Sequence, residues 1–154
     1  MHTIYLSVGG NLNNTSEKFE QLFSLLEERV GKILRKSSYY QSDAWGFESE
    51  YPFINIALCL QTELSPFELL HETQSIEKQL GRTSKTTTSY HDRTMDIDII
   101  FYDNEIIKTS NLEIPHPRMH ERDFVLIPLS EIAGEFAHPV LKDSVGMLSK
   151  IGIW

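Results

Sequence analysis

The chain has 154 residues, 40% hydrophobic and 10% aromatic, and its 22 acidic against 14 basic residues give a formal net charge of -8. That length suits one domain over residues 1–154 with a real core, and the charge excludes a general nucleic-acid binder, which needs a broad basic surface. No window approaches a membrane-spanning length and no basic segment with a long apolar stretch opens the chain, so a soluble, cytoplasmic protein without membrane contact is expected.

Residues 3 to 8 alternate weakly and read as a strand, and Gly9-Gly10-Asn11 as a turn that allows close backbone approach. Asn14 and Glu17 resemble a capping box opening a helix with Phe19, Leu22, Phe23, Leu26 and Val30 at helical spacing and Gly31 at C′. Residues 33 to 41 read as a second strand. Residues 42 to 52 have no period, carry Trp45, Phe47 and Tyr51, and read as a long loop of the functional kind. A strand follows over 53 to 62, with Asn55 in an apolar run and Cys59, the single cysteine, as a buried inert thiol.

The second helix is marked by Ser65 as N-cap, Pro66 at N1, Glu68 at N3, apolar Phe67, Leu70, Ile76 and Leu80, and Gly81 at its end. A polar loop over 82 to 92 leads into Asp96-Ile97-Asp98-Ile99-Ile100-Phe101, a strand closing at Asp103-Asn104. A hairpin partner near Glu105 to Lys108 and a C-terminal helical extension complete the chain. The order strand, helix, strand, strand, helix, strand predicts an α+β, ferredoxin-like βαββαβ core, with helices on one face of the sheet and a ligand site built from loops. With no apolar surplus, a monomer is expected.

Asp96 and Asp98 share one face of their strand with Cα atoms roughly 6.5 to 7 Å apart, while Met95, Ile97 and Ile99 turn to a core. Two carboxylates on a half-buried sheet repel and lose hydration unless protonated, paired or metal-bound. Mg2+ takes one or two carboxylates and completes its shell with water and substrate phosphates. A solvated acid pair on an exposed edge strand is the other reading.

Arg82, Lys85 and Arg93 precede the pair, and His116, Arg118 and Arg122 follow it. A local cationic pocket in an acidic chain suits a phosphorylated small molecule, although each taken singly reads as a solvated charge. Pro115-His116-Pro117-Arg118 presents an imidazole and a guanidinium from a stiff turn. Asn55 must find partners for its amide, in a ligand or in the backbone. Gln74 and Glu77, adjacent at i and i+3, can reach a ligand but read by default as a solvated helix face. Gly9-Gly10-Asn11 lacks the ending of a P-loop. No Ser/His/Asp set and no zinc-type cluster stands out.

Taken in chain order, several segments resemble the 6-hydroxymethyl-7,8-dihydropterin pyrophosphokinase family of folate biosynthesis: residues 5–12 (Tyr5 to Leu12), residues 74–82 (Gln74 to Arg82), Arg93-Thr94-Met95-Asp96-Ile97-Asp98, Pro115-His116-Pro117-Arg118-Met119, and residues 121–126 (Glu121 to Leu126). The resemblance implies transfer of pyrophosphate from ATP to the pterin hydroxymethyl group, with release of AMP, on a ferredoxin-like fold with two Mg2+ ions. It implies that Asp96 and Asp98 hold both metals and that Asn55 bonds the pterin edge between the rings of Phe53 and Phe124, with Ser42 and Trp45 helping to read it. Gln74, Glu77, Arg82, Lys85, Arg93, Ile99, His116 and Arg122 would surround ATP, and Arg82 and Arg93 join the aspartates as catalytic residues.

Four positions differ from the family's usual pattern. Gly10 stands where Ser is common, Ser84 where a second loop Arg is frequent, Tyr90 where Trp is usual, and Phe53 where Tyr is frequent. Ser84 and Tyr90 bear on closure of the 82 to 92 loop over ATP, whereas Phe53 keeps a stacking face. With no residues left for a fused aldolase or synthase domain, a monofunctional enzyme is expected. The competing readings are a Mg2+-dependent kinase that transfers only the γ-phosphoryl group and a non-catalytic ligand-binding module.

Overall fold

A computed structural model describes residues 1–10, 15–42, 53–80 and 95–151. Residues 43 to 52 of the loop expected over 42 to 52, the loop expected over 82 to 92, the Asn14 cap and Gly81 lie outside the described residues, and with them Trp45, Arg82, Lys85 and Arg93.

The elements run β1 (His2–Gly10), α1 (Thr15–Arg29), β2 (Gly31–Lys36), β3 (Tyr40–Ser42), β4 (Phe53–Thr62), α2 (Pro66–Gln79), β5 (Asp96–Tyr102), β6 (Ile107–Lys108), β7 (Glu113–Ile114), a 3-10 turn (Met119–Glu121), α3 (Asp123–Ala133) and α4 (Val145–Ile151). The main sheet is antiparallel in the order β2-β4-β1-β5, with β3 also paired to β4. β4 and β1 are central because both faces of each are buried, which Ile56, Leu58 and Leu60 satisfy on one side of β4 and Ala57 and Cys59 on the other.

The two faces carry two cores. Ile4, Leu6, Val8, Ile56, Leu58, Leu60, Ile97 and Ile99 pack with Phe19, Leu22 and Leu26 of α1 and Leu69 and Ile76 of α2. Tyr5, Ala57, Cys59, Ile100 and Phe101 pack on the opposite face with Val125, Leu126 and Leu129 of α3 and Val145 and Leu148 of α4. Helices therefore cover both faces, where one had been expected, because the C-terminal extension supplies a second apolar layer.

The α2 cap forms as its sequence requires: Ser65 N–H donates to Glu68 Oε1 at 2.8 Å and Glu68 N–H to Ser65 Oγ at 3.2 Å. Of the expected stripe Ile76 and Leu80 are buried, and the rest differs. Leu69, Thr73, Ile76 and Glu77 turn inward, while Phe67 is half exposed.

Two strand boundaries also differ. The expected strand over 33 to 41 divides into β2 and β3, because Ala57 N–H donates to the Ser37 hydroxyl at 2.9 Å instead of to a backbone carbonyl. Gly31 does follow the Val30 cap of α1 at the expected C′ position, but without a left-handed backbone: it is already the first residue of β2, paired with Thr62, and a Cβ there would lie 1.8 Å from the Gln61 carbonyl oxygen. The segment at 105 to 108 does not pair with β5. Its β6 joins β7 in a separate two-stranded ladder, Ile107 opposite Ile114.

Candidate active site

The register of the three inner strands sets the site. Gly9 of β1 lies opposite Asn55 of β4 on one side and Asp96 of β5 on the other. One row along, Ser7 lies opposite Ala57 and Asp98. Residues in register point to the same face, and strands are spaced about 4.8 Å apart, so Asn55 and Asp96 stand roughly 10 Å from each other. Gly9 lies between them, and in the next row Ser7 lies between Ala57 and Asp98, so small residues keep the floor low.

This is the face whose other half is taken by α3 and α4. The division depends on a bulge: the β1–β5 register shifts between Tyr5 and Leu6, so that Tyr5 opposes Phe101 while Leu6 opposes Ile99. Ile100 is the extra residue, and both Ile100 and Phe101 enter the second core. Asp96 and Asp98 stay half-buried beyond that core, while Met95, Ile97 and Ile99 are buried, as the alternation requires.

Asn55 is 2% exposed, and its Nδ2 has no hydrogen-bond partner among the described residues. A buried amide donor left in this state costs about 1–3 kcal/mol, and a ligand edge bearing an acceptor would offset that cost. Ser42 and Phe53 lie opposite each other where β3 meets β4. Glu131 of α3 holds the start of β3, accepting from Ser38 N–H at 3.0 Å and from the Tyr40 hydroxyl at 2.6 Å.

A second compartment runs along the open edge of β5. It is a cleft of about 390 Å3 lined by Gln74 and Glu77 of α2, Ile97, Asp98 and Ile99 of β5, residues 109–113 (Thr109 to Glu113), and His116. Asp98 is thus shared between floor and cleft. Glu77, read from sequence as solvated, is buried, and its Oε2 accepts the Ile97 N–H at 2.6 Å. Gln74 is exposed.

Burial holds the His116 imidazole below its ordinary range; Asp98 acts against this, and Arg122 reinforces it. Nδ1 accepts the Arg118 N–H at 3.3 Å, which leaves Nε2 as the protonated nitrogen and so a donor at neutral pH. Just beyond, the Arg122 guanidinium lies 5.6 Å from the centre of the Phe124 ring, and that ring is 37% exposed. The two resemblance-derived partners of different substrates are therefore neighbours.

Of the residues singled out from sequence, Gln74, Glu77, Asp98, Ile99 and His116 line one cleft, and Asn55 and Asp96 share the adjoining floor. The side chains of Ser42 and Phe53 are not among those described. Sequence reasoning missed Ser7 and the turn over 109 to 111. The turn carried a signal: Thr109 Oγ accepts from Leu112 N–H at 3.0 Å, the local bonding expected of a Thr-Ser-Asn run.

Two carboxylates on one half-buried strand face form a donor set that suits a hard divalent cation such as Mg2+, which completes its shell with water and phosphate oxygens.

The sequence model of the family described as 7,8-dihydro-6-hydroxymethylpterin-pyrophosphokinase (HPPK) matches residues 5–134. A Porphyromonas gingivalis protein named 2-amino-4-hydroxy-6-hydroxymethyldihydropteridine pyrophosphokinase is 43% identical over 141 residues, covering 90% of this chain and 95% of its own length. The protein of the same name from Bacillus subtilis is 42% identical over 129 residues, covering 83% and 76% respectively. Among solved structures, Plasmodium falciparum HPPK-DHPS matches with a TM-score of 0.77 at 16% identity, over 97% of this chain and 44% of that one. At that identity the likeness is one of fold.

Proposed function

The chain belongs to the 7,8-dihydro-6-hydroxymethylpterin-pyrophosphokinase family, and we infer that it transfers the pyrophosphoryl group of ATP to the hydroxymethyl group of 6-hydroxymethyl-7,8-dihydropterin in folate biosynthesis. The products are AMP and the pterin diphosphate. The observation that carries this reading for these particular residues is the meeting of two unlike compartments at one acid pair. A flat floor with an orphaned amide donor lies on one side of Asp96 and Asp98, and an edge cleft lies on the other. A two-substrate transfer needs that arrangement, because donor and acceptor must approach the same point from different directions.

In this reading Asn55 fixes the pterin edge with Ser42 and Trp45, and Phe53 and Phe124 stack on its faces. The triphosphate lies along the cleft, among Gln74, Glu77, Ile99, His116 and Arg122 and the arginines and lysine at 82, 85 and 93. The hydroxymethyl oxygen attacks the β-phosphorus, the bond from that phosphorus to the α–β bridging oxygen breaks, and AMP leaves. Asp96 and Asp98 would hold Mg2+, two ions in the full reading, and the metal would neutralise phosphate charge. Arg82 and Arg93 would add to that neutralisation, and the Nε2–H of His116 would donate to a phosphate oxygen. Water must be excluded during transfer, because hydrolysis competes.

The strand order β2-β4-β1-β5 supports a ferredoxin-like reading of the core, and a single domain over residues 1–154 belongs to the same proposal. The test is to incubate the protein with ATP, Mg2+ and the hydroxymethylpterin and to identify the nucleotide product. AMP formed only when the pterin is present supports the reading. ADP would replace it with a simple kinase, and no product with a binding module.

A further inference from the structure

We propose that Glu77 is a positioning residue that pins the backbone of β5 between Asp96 and Asp98 and so sets the aim of the acid pair. The proposal rests on the pyrophosphoryl-transfer reading above and adds to it how the pair is held.

Among the described residues β5 is the last strand of the main sheet, paired with β1 on one side. An edge strand presents alternate amides that no neighbouring strand receives. Ile97, opposite Val8, is the one residue between the two acids, and its N–H goes to Glu77 Oε2 at 2.6 Å in a buried bond. A backbone N–H donating to a carboxylate makes a charge-assisted bond, among the stronger kinds. Glu77 in turn is carried on the stripe of α2 that includes Leu69 and Ile76, both fully buried in the main core. The carboxylate is therefore held by a rigid helix and receives, between the two acids, an amide that no described strand receives.

Fold stability alone does not call for this residue, since an acid on a buried helix stripe is costly to desolvate. The acid pair does call for it. Mg2+ demands near-ideal octahedral geometry at about 2.0–2.1 Å, and a misplacement of about 1 Å at a reacting centre can cost on the order of a hundredfold in rate. An edge strand free to twist about Ile97 would move both carboxylates in opposite senses.

The test compares Glu77→Gln, which keeps an acceptor at the same reach, with Glu77→Leu, which keeps the bulk and removes it. Two readouts accompany turnover: amide hydrogen exchange at Ile97 in the protein alone, and Mn2+ affinity in the presence of a non-hydrolysable ATP analogue. In Glu77→Leu, exchange at Ile97 should rise and Mn2+ affinity should fall, each by at least roughly tenfold, or about 1.4 kcal/mol. kcat should fall with them, and KM for the pterin should hold. Glu77→Gln, which keeps an uncharged acceptor, should leave the Ile97 amide more protected than Glu77→Leu does and should lose less Mn2+ affinity.

Equal losses of metal affinity in both variants would overturn the proposal, because the charge and not the acceptor would then be the active feature. Unchanged exchange at Ile97 in Glu77→Leu would overturn it as well. Should Glu77→Leu not fold, Glu77→Ala takes its place beside Glu77→Gln, and the same outcomes at Ile97 and in Mn2+ affinity decide. A parent protein that yields no AMP would defeat the pyrophosphokinase reading, while the exchange and Mn2+ readouts would still decide the role of Glu77.

Discussion

Gly31→Ala separates two accounts of one residue. As a helix C′ glycine, Gly31 would be there for a left-handed backbone, and alanine would cost about 1 kcal/mol. The structure gives it no such backbone and puts it against β4: an added Cβ would lie 1.8 Å from the Gln61 carbonyl oxygen, 2.9 Å from its carbon and 3.1 Å from Thr62 Cα. Moving the first contact from 1.8 Å out to the 3.0 Å below which real Cβ atoms are essentially never found requires about 1.2 Å of separation between β2 and β4. All three atoms are backbone, so no side chain can swing away.

Overpacking of this kind costs about 1–3 kcal/mol, and losing one ladder bond adds about 1 kcal/mol, so a total of about 2–4 kcal/mol is expected. For a chain of this length that lowers Tm by very roughly 5–15 °C. The strained row holds Gly31, Thr62 and His2, and the site row holds Gly9; seven residues of strand put roughly 24 Å between them. Urea unfolding should therefore show the loss of stability, and turnover at 25 °C should be unaffected. A stability change under about 1 kcal/mol would refute the close-approach argument.

Asp96→Asn and Asp98→Asn should each abolish AMP formation while leaving Tm within a degree or two, as expected for side chains half-buried on the sheet floor; a variant with near-parent activity would remove that residue from the metal site. Asn55→Ala should weaken pterin binding by about 1–3 kcal/mol, read by calorimetric titration, and unchanged affinity would show that its amide serves the protein alone. Arg29 of α1 donates to Glu72 Oε1 at 3.0 Å, Gln79 Oε1 at 3.0 Å and Ser75 Oγ at 2.7 Å on α2. Arg29→Met should lower the unfolding free energy by about 1–2 kcal/mol without changing kcat. His138 Nδ1 accepts the N–H groups of Val140 at 3.1 Å and Leu141 at 3.0 Å, and burial, followed by the nearby His120, holds its pKa below 6.5. The unfolded chain then binds the proton more readily, so this contribution is full above pH 6.5 and is lost as pH falls towards the depressed folded value. His138→Asn, which keeps an acceptor near the Nδ1 position, should flatten that part of the pH dependence of unfolding.

The elements legible from sequence were those whose signals were local. The capping box at Ser65, the alternation of Met95, Ile97 and Ile99 against Asp96 and Asp98, and the helical spacing of Phe19, Leu22 and Leu26 all report on a residue's near neighbours, and each is found in place. What was missed depended on partners distant in the chain. Gly31 ends a helix pattern and also meets Gln61, and only the second fact decides its role. Glu77 looked like a surface acid because its partner, the Ile97 amide, lies twenty residues on. The short β6 could not be assigned to β7 over β5 because a two-residue ladder carries almost no pattern of its own.

In the proposed reading, the position of β5 at the sheet edge is what lets one short strand face two substrates. An inner strand presents only two faces, and here one of those is taken by the α1 and α2 core. An edge strand adds a third aspect, its open backbone side, and that is where the cleft with His116, Ile99 and Asp98 lies. The bulge at Ile100 then becomes intelligible. It puts two consecutive side chains, Ile100 and Phe101, into the second core, anchoring the far half of the strand under α3 while the near half keeps its acids on the floor opposite Gly9 and Ser7. Removing the bulge would turn one of those side chains away from α3 and shift the rows in which Asp96 and Asp98 meet β1. In that reading the chemistry depends on a register fixed outside the site, with the second core locking one end of β5 and the α2 carboxylate at Ile97 supporting the other.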